Sequence, residues 1–208
     1  MRASSLPPPY WADACRELSG RDRILAALIQ GHSGHLQCRG HAFETLARSI
    51  VGQQISVSAA QSVWDRLRVR TGRVTAARVA AMAERELRHC GLSRNKARYL
   101  RGLADGFAAG AIRPRRWRNM TDDDIVAELT EFSGIGRWTA EMFLIFHLLR
   151  PNVLPAADLG LRKGVERHYG ASYTRVEGIQ HLRNRWRPWC TVATWYLWRS
   201  LDPKPVSY

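Results

Sequence analysis

The residues with the clearest chemical potential lie between Thr121 and Lys163, in the stretch TDDDIVAELTEFSGIGRWTAEMFLIFHLLRPNVLPAADLGLRK. Gly134 and Gly136 separate a capped helix from a very apolar one. Glycine permits a tight turn and removes the side chains that would hold another backbone away. The second helix opens near Arg137, so its first N–H groups point outward at the positive end of the dipole. A DNA phosphate can sit there, and an ordinary helical hairpin with a glycine turn has the same pattern. Asp158 follows the break at Arg150-Pro151 and stands at the start of a third helix. The helix dipole favours a negative charge at that place, which suits a base or a charge stabiliser and not a general acid. A plain N-cap is the commoner use of an aspartate there.

Helix signals run through the whole chain and supply the elements that must hold these residues. Thr121 and Asp124 form a start signal, and Ile125, Leu129 and Phe132 follow on one face. Upstream, Ile24, Leu25 and Leu28 predict a helix over 21–30 that stops at Gly31. Phe43, Leu46, Ala47, Ile50 and Val51 share one face of the next, which breaks at Gly52-Gln53-Gln54. Ser56 caps a helix whose face is Val57, Ala60, Trp64 and Leu67. Thr75 caps another that ends near Cys90-Gly91, and Ser93 caps a third over 94–109, closed by Gly110. Past Asp158 a helix runs to Gly170 and another covers 175–185. Pro188 then opens the last, through Trp189, Val192, Trp195, Tyr196 and Trp198. No stretch alternates at period two long enough to demand a sheet, so the expected fold class is all-α with about ten helices. Pro7-Pro8-Pro9 marks an extended lead-in, and Gly31 to His41 a loop and domain boundary. His32, His35 and Cys38 in that loop lack a recognised ligand pattern and a fourth partner.

Composition narrows the classes. A chain of 208 residues is one domain or two small ones. Its formal charge of +14 favours a polyanionic partner, through phosphate neutralisation and counterion release. Arginine carries nearly all of the excess, since the lysines are Lys96, Lys163 and Lys204 alone. The charge is dispersed, with one denser run at Arg113–Arg118. Arg94, Lys96 and Arg98 read as a solvated helix face. Cys15, Cys38, Cys90 and Cys190 form no C-x-x-C pair, so neither a zinc site nor a disulfide framework is indicated. No apolar run reaches the ~18 residues of a membrane span and no signal-peptide h-region is present, which predicts a soluble, cytoplasmic protein.

Several blocks, in order, resemble the 3-methyladenine DNA glycosylase II family of helix-hairpin-helix glycosylases. They are LARSIVGQQIS, GLSRNKARYL, FSGIGRWTA, LPAADLGLRKG and WRPWCTVATWYLW, and they cover the chain from about Phe43 to Trp198. The resemblance implies two helical lobes with a base-binding cleft between them, and a short form without the N-terminal β domain of larger members. It places an N-terminal segment, 1–38, against a C-terminal lobe, 146–208, and makes 39–145 the central lobe with the hairpin. The iron–sulfur loop of the related endonuclease III family has no matching cysteine spacing here. No cofactor is implied, apart from a structural Na+ or K+ on the carbonyls of Thr130, Phe132 and Ile135.

The family's activity is excision of alkylated purines, such as 3-methyladenine, from duplex DNA in base excision repair. The resemblance makes Asp158 the catalytic carboxylate, Trp138, Met142 and Trp198 walls of the base pocket, and Gln53, Gln54, Gly134, Ile135, Gly136 and Arg137 the DNA contacts. N-glycosidic cleavage develops oxocarbenium-like charge on the sugar, which a fixed carboxylate stabilises. A cationic alkylated base suits electron-rich rings. Gln54 matches the side chain that fills the gap left by a flipped base. This sequence departs from some members in two places. Ala156-Ala157 replace a second acidic residue, and Met142 replaces an aromatic. The implied partner is double-stranded DNA bound by a monomer, nucleoid-associated in a bacterium. Two rival functions are a non-catalytic helix-hairpin-helix binder, against which Asp158 and Trp198 speak, and a glycosylase/lyase. The lyases need an amine where this chain has Trp138.

Overall fold

The computed structural model describes residues 6–38 and 40–201; Lys204, the residues before Leu6 and the Val57 side chain lie outside the described residues. Among the described residues there is no strand. The helices are α1 (Trp11–Arg21), α2 (Arg23–Gly31), α3 (Ala42–Gly52), α4 (Val57–Thr71), α5 (Ala76–Ala80), α6 (Glu84–His89), α7 (Arg94–Ala108), α8 (Asp122–Thr130), α9 (Arg137–Phe146), α10 (Leu159–Tyr169), α11 (Val176–Trp186) and α12 (Cys190–Leu201). Short 3-10 turns cover Pro114–Asn119 and Ala171–Thr174.

The predicted caps are in place. The side-chain oxygens of Ser56, Thr75, Ser93, Thr121 and Asp158 accept from the backbone N–H of Ala59, Arg78, Lys96, Asp124 and Leu161. Each satisfies one of the donors that a helix start leaves open. Four elements differ from expectation. The helix α1 was not predicted, although Trp11, Ala14 and Leu18 are its buried stripe; Ser19-Gly20 near its end weakens the local signal. The span from Thr75 to Cys90 is two helices, because the Glu86 carboxylate accepts the Ala83 N–H at 2.8 Å and starts α6 afresh. Pro188 lies in the turn before α12, where the Trp189 N–H bonds the Trp186 carbonyl at 2.7 Å. The arginine run includes a 3-10 turn pinned by buried Trp117, whose indole donates to Glu128 at 2.8 Å while Arg113, Arg115, Arg116 and Arg118 stay exposed.

The chain divides into two compact units. One is Gly40–Phe143. Its core joins Leu46 and Ile50 of α3, Trp64 and Leu67 of α4, Leu100 and Leu103 of α7, and Ile125 and Leu129 of α8, all buried. Phe132 lies beyond the end of α8 and lays its ring on Gly106, where any side chain would collide: a Cβ there would stand 2.4 Å from Phe132 Cε1.

The other unit comprises the described residues of Arg2–Arg39 and Leu144–Ser207. Trp11 of α1 meets Trp195 of α12 edge-on, with ring centroids 5.2 Å apart. Its polar centre is Asp22, only 3% exposed. One Asp22 oxygen caps α2 through the N–H groups of Ile24 and Leu25, at 3.0 and 3.2 Å. The other accepts from the Tyr169 hydroxyl at 2.9 Å and the Trp186 indole at 3.2 Å. Arg185 adds a guanidinium at 3.6 Å. Burial and the neighbouring Asp22 charge push the Tyr169 hydroxyl well above its ordinary pKa, so it stays a donor. A buried carboxylate is tolerated only with such compensation. Asp22→Ala removes the cap and strands two buried donors, so stability should fall by about 3 kcal/mol in urea unfolding. A loss below about 1 kcal/mol would show that this network is dispensable.

Candidate functional site

Asp158 sits at the start of α10, in a turn closed by its own N–H on the Pro155 carbonyl at 2.8 Å. Its side chain is buried, 4% exposed. One oxygen, Oδ1, accepts two hydrogen bonds, from the Leu161 N–H at 2.7 Å and the Trp198 indole N–H at 2.8 Å. Asp158 is therefore an N-cap, and it is also held by a second helix.

Small residues let that helix come close. A Cβ on Gly160 would stand 3.0 Å from the Trp198 ring and 3.1 Å from Asp158 Oδ1; one on Gly164 would stand 3.0 Å from Leu197 Cβ. Such approaches need glycine on α10 where α12 crosses it. Trp198 is itself buried and stacks on Phe146, with centroids 5.8 Å apart and planes 12° from parallel. Thr191, not singled out from sequence, ties the preceding loop to α12. It donates to the Arg150 carbonyl at 2.6 Å and accepts the Val153 N–H at 3.0 Å. A threonine in an apolar helix gives no sequence signal for such a long-range role.

The glycine turn is built in the other unit. Gly134 has φ +90°, and a Cβ there would meet Tyr99 at 2.5 Å, so this position needs glycine on both counts. A Cβ on Gly136 would meet nothing within 4 Å, so no packing within the chain requires glycine there. The Ile135 N–H bonds the Phe132 carbonyl at 3.0 Å, and buried Ile135 plugs the turn into the core. The Gln53 side chain donates to the Gly134 carbonyl at 2.8 Å. This contact joins the Gln53-Gln54 corner to the hairpin, 81 positions away and without a local sequence signal. Gln54 is exposed with φ +56°. Lys96, expected on a solvated face, is half-buried and donates to the carbonyls of Val51 and Gln53 at 2.8 and 2.5 Å. Burial lowers its pKa.

Trp138 and Met142 lie one turn apart on α9. Trp138 is 38% exposed, whereas Met142 is buried. Arg137 spans Glu141 at 3.0 Å and Asp123 at 3.8 Å from an exposed position. Thr130 closes α8, where a helix leaves carbonyl oxygens open. Carbonyl oxygens are the donor type a hard cation takes, and the Phe132 carbonyl there already accepts the Ile135 N–H. Among the described residues no group of three or more His, Cys, Asp or Glu side chains could hold a metal ion. His32 bonds the Leu28 carbonyl at 3.0 Å and Cys38 the His147 carbonyl at 3.3 Å. Burial pushes the Cys190 thiol up to about 11, which keeps it protonated.

Comparison with known proteins identifies the family. DNA-3-methyladenine glycosylase 1 of Schizosaccharomyces pombe is 30% identical over 164 residues, spanning 76% of this chain and 72% of that protein. Across curated relatives the chain spans from 40% to 76% of their length. The crystal structure of a DNA-3-methyladenine glycosidase from Bacillus halodurans superposes with a TM-score of 0.83 at 28% identity, over 97% of this chain and 93% of that one. The S. pombe 3-methyladenine DNA glycosylase Mag1, in complex with abasic DNA, matches with a TM-score of 0.75 at 26% identity, over 94% and 100%. The family model described as "HhH-GPD superfamily base excision DNA repair protein" matches residues 47–188. The chain belongs to the HhH-GPD superfamily of base excision DNA repair proteins.

Proposed function

We propose that this protein is a monofunctional DNA glycosylase that flips positively charged alkylated purines, such as 3-methyladenine, out of duplex DNA and hydrolyses their N-glycosidic bond. The observation that carries this reading is the Asp158 carboxylate, buried and fixed by the Leu161 N–H and the Trp198 indole. As the C1′–N bond lengthens, positive charge gathers on the sugar. A carboxylate already oriented stabilises that charge without reorganising. Water adds to C1′, and the base leaves with the bonding pair. A cationic base is already a good leaving group, so no general acid is required, which fits a site with Ala156-Ala157 and a single aspartate.

The other site residues take supporting roles. Trp198 is covered on one face by Phe146, so its part is to orient Asp158 through the indole N–H. Trp138 offers the more open ring for stacking on the extruded base, and Met142 is the softer wall beside it. The turn Gly134–Arg137 takes a phosphate on backbone N–H groups, and Gln54 fills the vacated stack. The carbonyls of Thr130, Phe132 and Ile135 would hold a monovalent cation, which supplies positive charge near that phosphate. The protein acts as a monomer on double-stranded DNA, and among the described residues no helix is long and apolar enough to cross a membrane.

Asp158→Asn keeps a capping oxygen for Leu161 and Trp198 but removes the charge. Single-turnover excision of 3-methyladenine should fall by about two to three orders of magnitude, with an unchanged melting curve and retained binding to abasic duplex. Near wild-type excision by a normally melting variant would remove Asp158 from the mechanism. Wild-type product should hold intact abasic sites until alkali is added, because Trp138 stands where a lyase needs an amine; a borohydride-trapped protein–DNA adduct would contradict this. Gly136→Leu meets open space, so it should fold normally and lose affinity for damaged and undamaged duplex alike. Unchanged affinity would show that the turn is not the anchor.

A further inference from the structure

The first two turns of α7 carry two residues on one face, Lys96 and Tyr99, three positions apart. Lys96 reaches the end of α3 and donates to the carbonyls of Val51 and Gln53. These belong to the open C-terminal carbonyls of that helix, at the negative end of its dipole. Tyr99 lies under the hairpin turn, so close that Gly134 has no room for a Cβ. The third side is Gln53, whose amide donates to the Gly134 carbonyl at 2.8 Å. Three elements are thus joined pairwise: the corner to α7, α7 to the hairpin, and the hairpin to the corner. From this closed frame Gln54 projects, exposed and in the left-handed region at φ +56°. A non-glycine residue keeps that conformation only where its surroundings over-determine it, and the Lys96 and Gln53 contacts do so on its N-terminal side. Ser56, capping α4 two residues later, does so on the other.

We propose that Lys96, Gln53 and Tyr99 are positioning residues that hold the Gln54 corner at a fixed separation from the phosphate-binding turn, so that gripping the backbone and inserting Gln54 into the stack are one rigid event. This rests on the glycosylase reading above. Flipping already costs unpairing and unstacking. Each corner residue left to be ordered on binding would lower the inserted population by about tenfold more. A preorganised corner avoids that loss. The Lys96 ammonium is spent on two carbonyls, so its charge is not a phosphate contact.

The test uses Lys96→Met, which removes the donor and keeps bulk, in the full chain. Excision is measured in single turnover for a lesion in paired duplex and for the same lesion in a bulge, where extrusion is nearly free. Fluorescence of 2-aminopurine beside an abasic analogue reports flipping without chemistry. The variant should lose roughly 10- to 100-fold on the paired lesion, lose the 2-aminopurine signal, and act on the bulge nearly as wild type. Affinity for plain duplex and its salt dependence should not move. A salt slope reduced by about one would make Lys96 a phosphate contact and overturn the proposal. Equal losses on paired and bulged lesions would overturn it in favour of a role in folding or chemistry, and so would no loss at all. A wild type that excises neither lesion overturns the glycosylase reading instead, while the 2-aminopurine comparison still decides the positioning role.

Discussion

Every α-helix ends with backbone groups that have no partner within it, and a chain built almost wholly of short helices meets that constraint at each turn. Here side chains answer it. Asp22, Ser56, Thr75, Ser93, Thr121 and Asp158 accept from first-turn N–H groups, and Lys96 serves the carbonyls that close α3. The residues read as functional are drawn from the same places. Asp158 is one of the caps. Gly136, ahead of α9, has no side chain with which to cap, which suits a helix start meant for an external anion. Chemistry and helix termination are therefore one problem solved with one set of residues.

Asp22 and Asp158, both buried, solve it differently. Asp22 is surrounded on both oxygens: two backbone N–H groups, a phenol, an indole and a guanidinium. Such a group is a structural knot within α1, α2, α10 and α11. On Asp158, Oδ1 accepts one bond from its own helix and one from α12. Glycines at 160 and 164 make the second bond reachable. A carboxylate held in a fixed position is what a stabiliser of transient positive charge requires.

Much of this was legible in the sequence, for reasons particular to each residue. Caps are local: a serine, threonine or aspartate before an apolar stripe identifies its helix within four positions, and Ser56, Ser93, Thr121 and Asp158 were found so. The all-α class followed from periodicity, and the ordered blocks pointed to the family. What stayed hidden is long-range. Lys96 looks like any exposed lysine until α3 is seen to end over it. Thr191 looks like helix filler until the Arg150–Val153 loop is laid against it. Trp117 is one aromatic in a basic run until Glu128 claims its indole. A helix start also escaped where its stripe was interrupted, as at α1.

The distribution of charge separates two tasks that oppose each other. A chain at +14 attracts a polyanion, yet a cationic base would be repelled by the same surface. The arginines of 113–118 are exposed around a buried tryptophan and can neutralise phosphate only from outside. Asp158 is buried, away from solvent screening, with the Trp198 indole against it. Attraction for the backbone thus acts at a distance, while attraction for positive charge acts only at contact range, where low polarity strengthens it. A neutral purine reaching the same place gains less from the carboxylate and the rings, and it departs less readily. In the proposed reaction, selectivity for alkylated bases therefore needs no hydrogen-bond recognition of the lesion: the lesion's own charge supplies both its affinity and its reactivity.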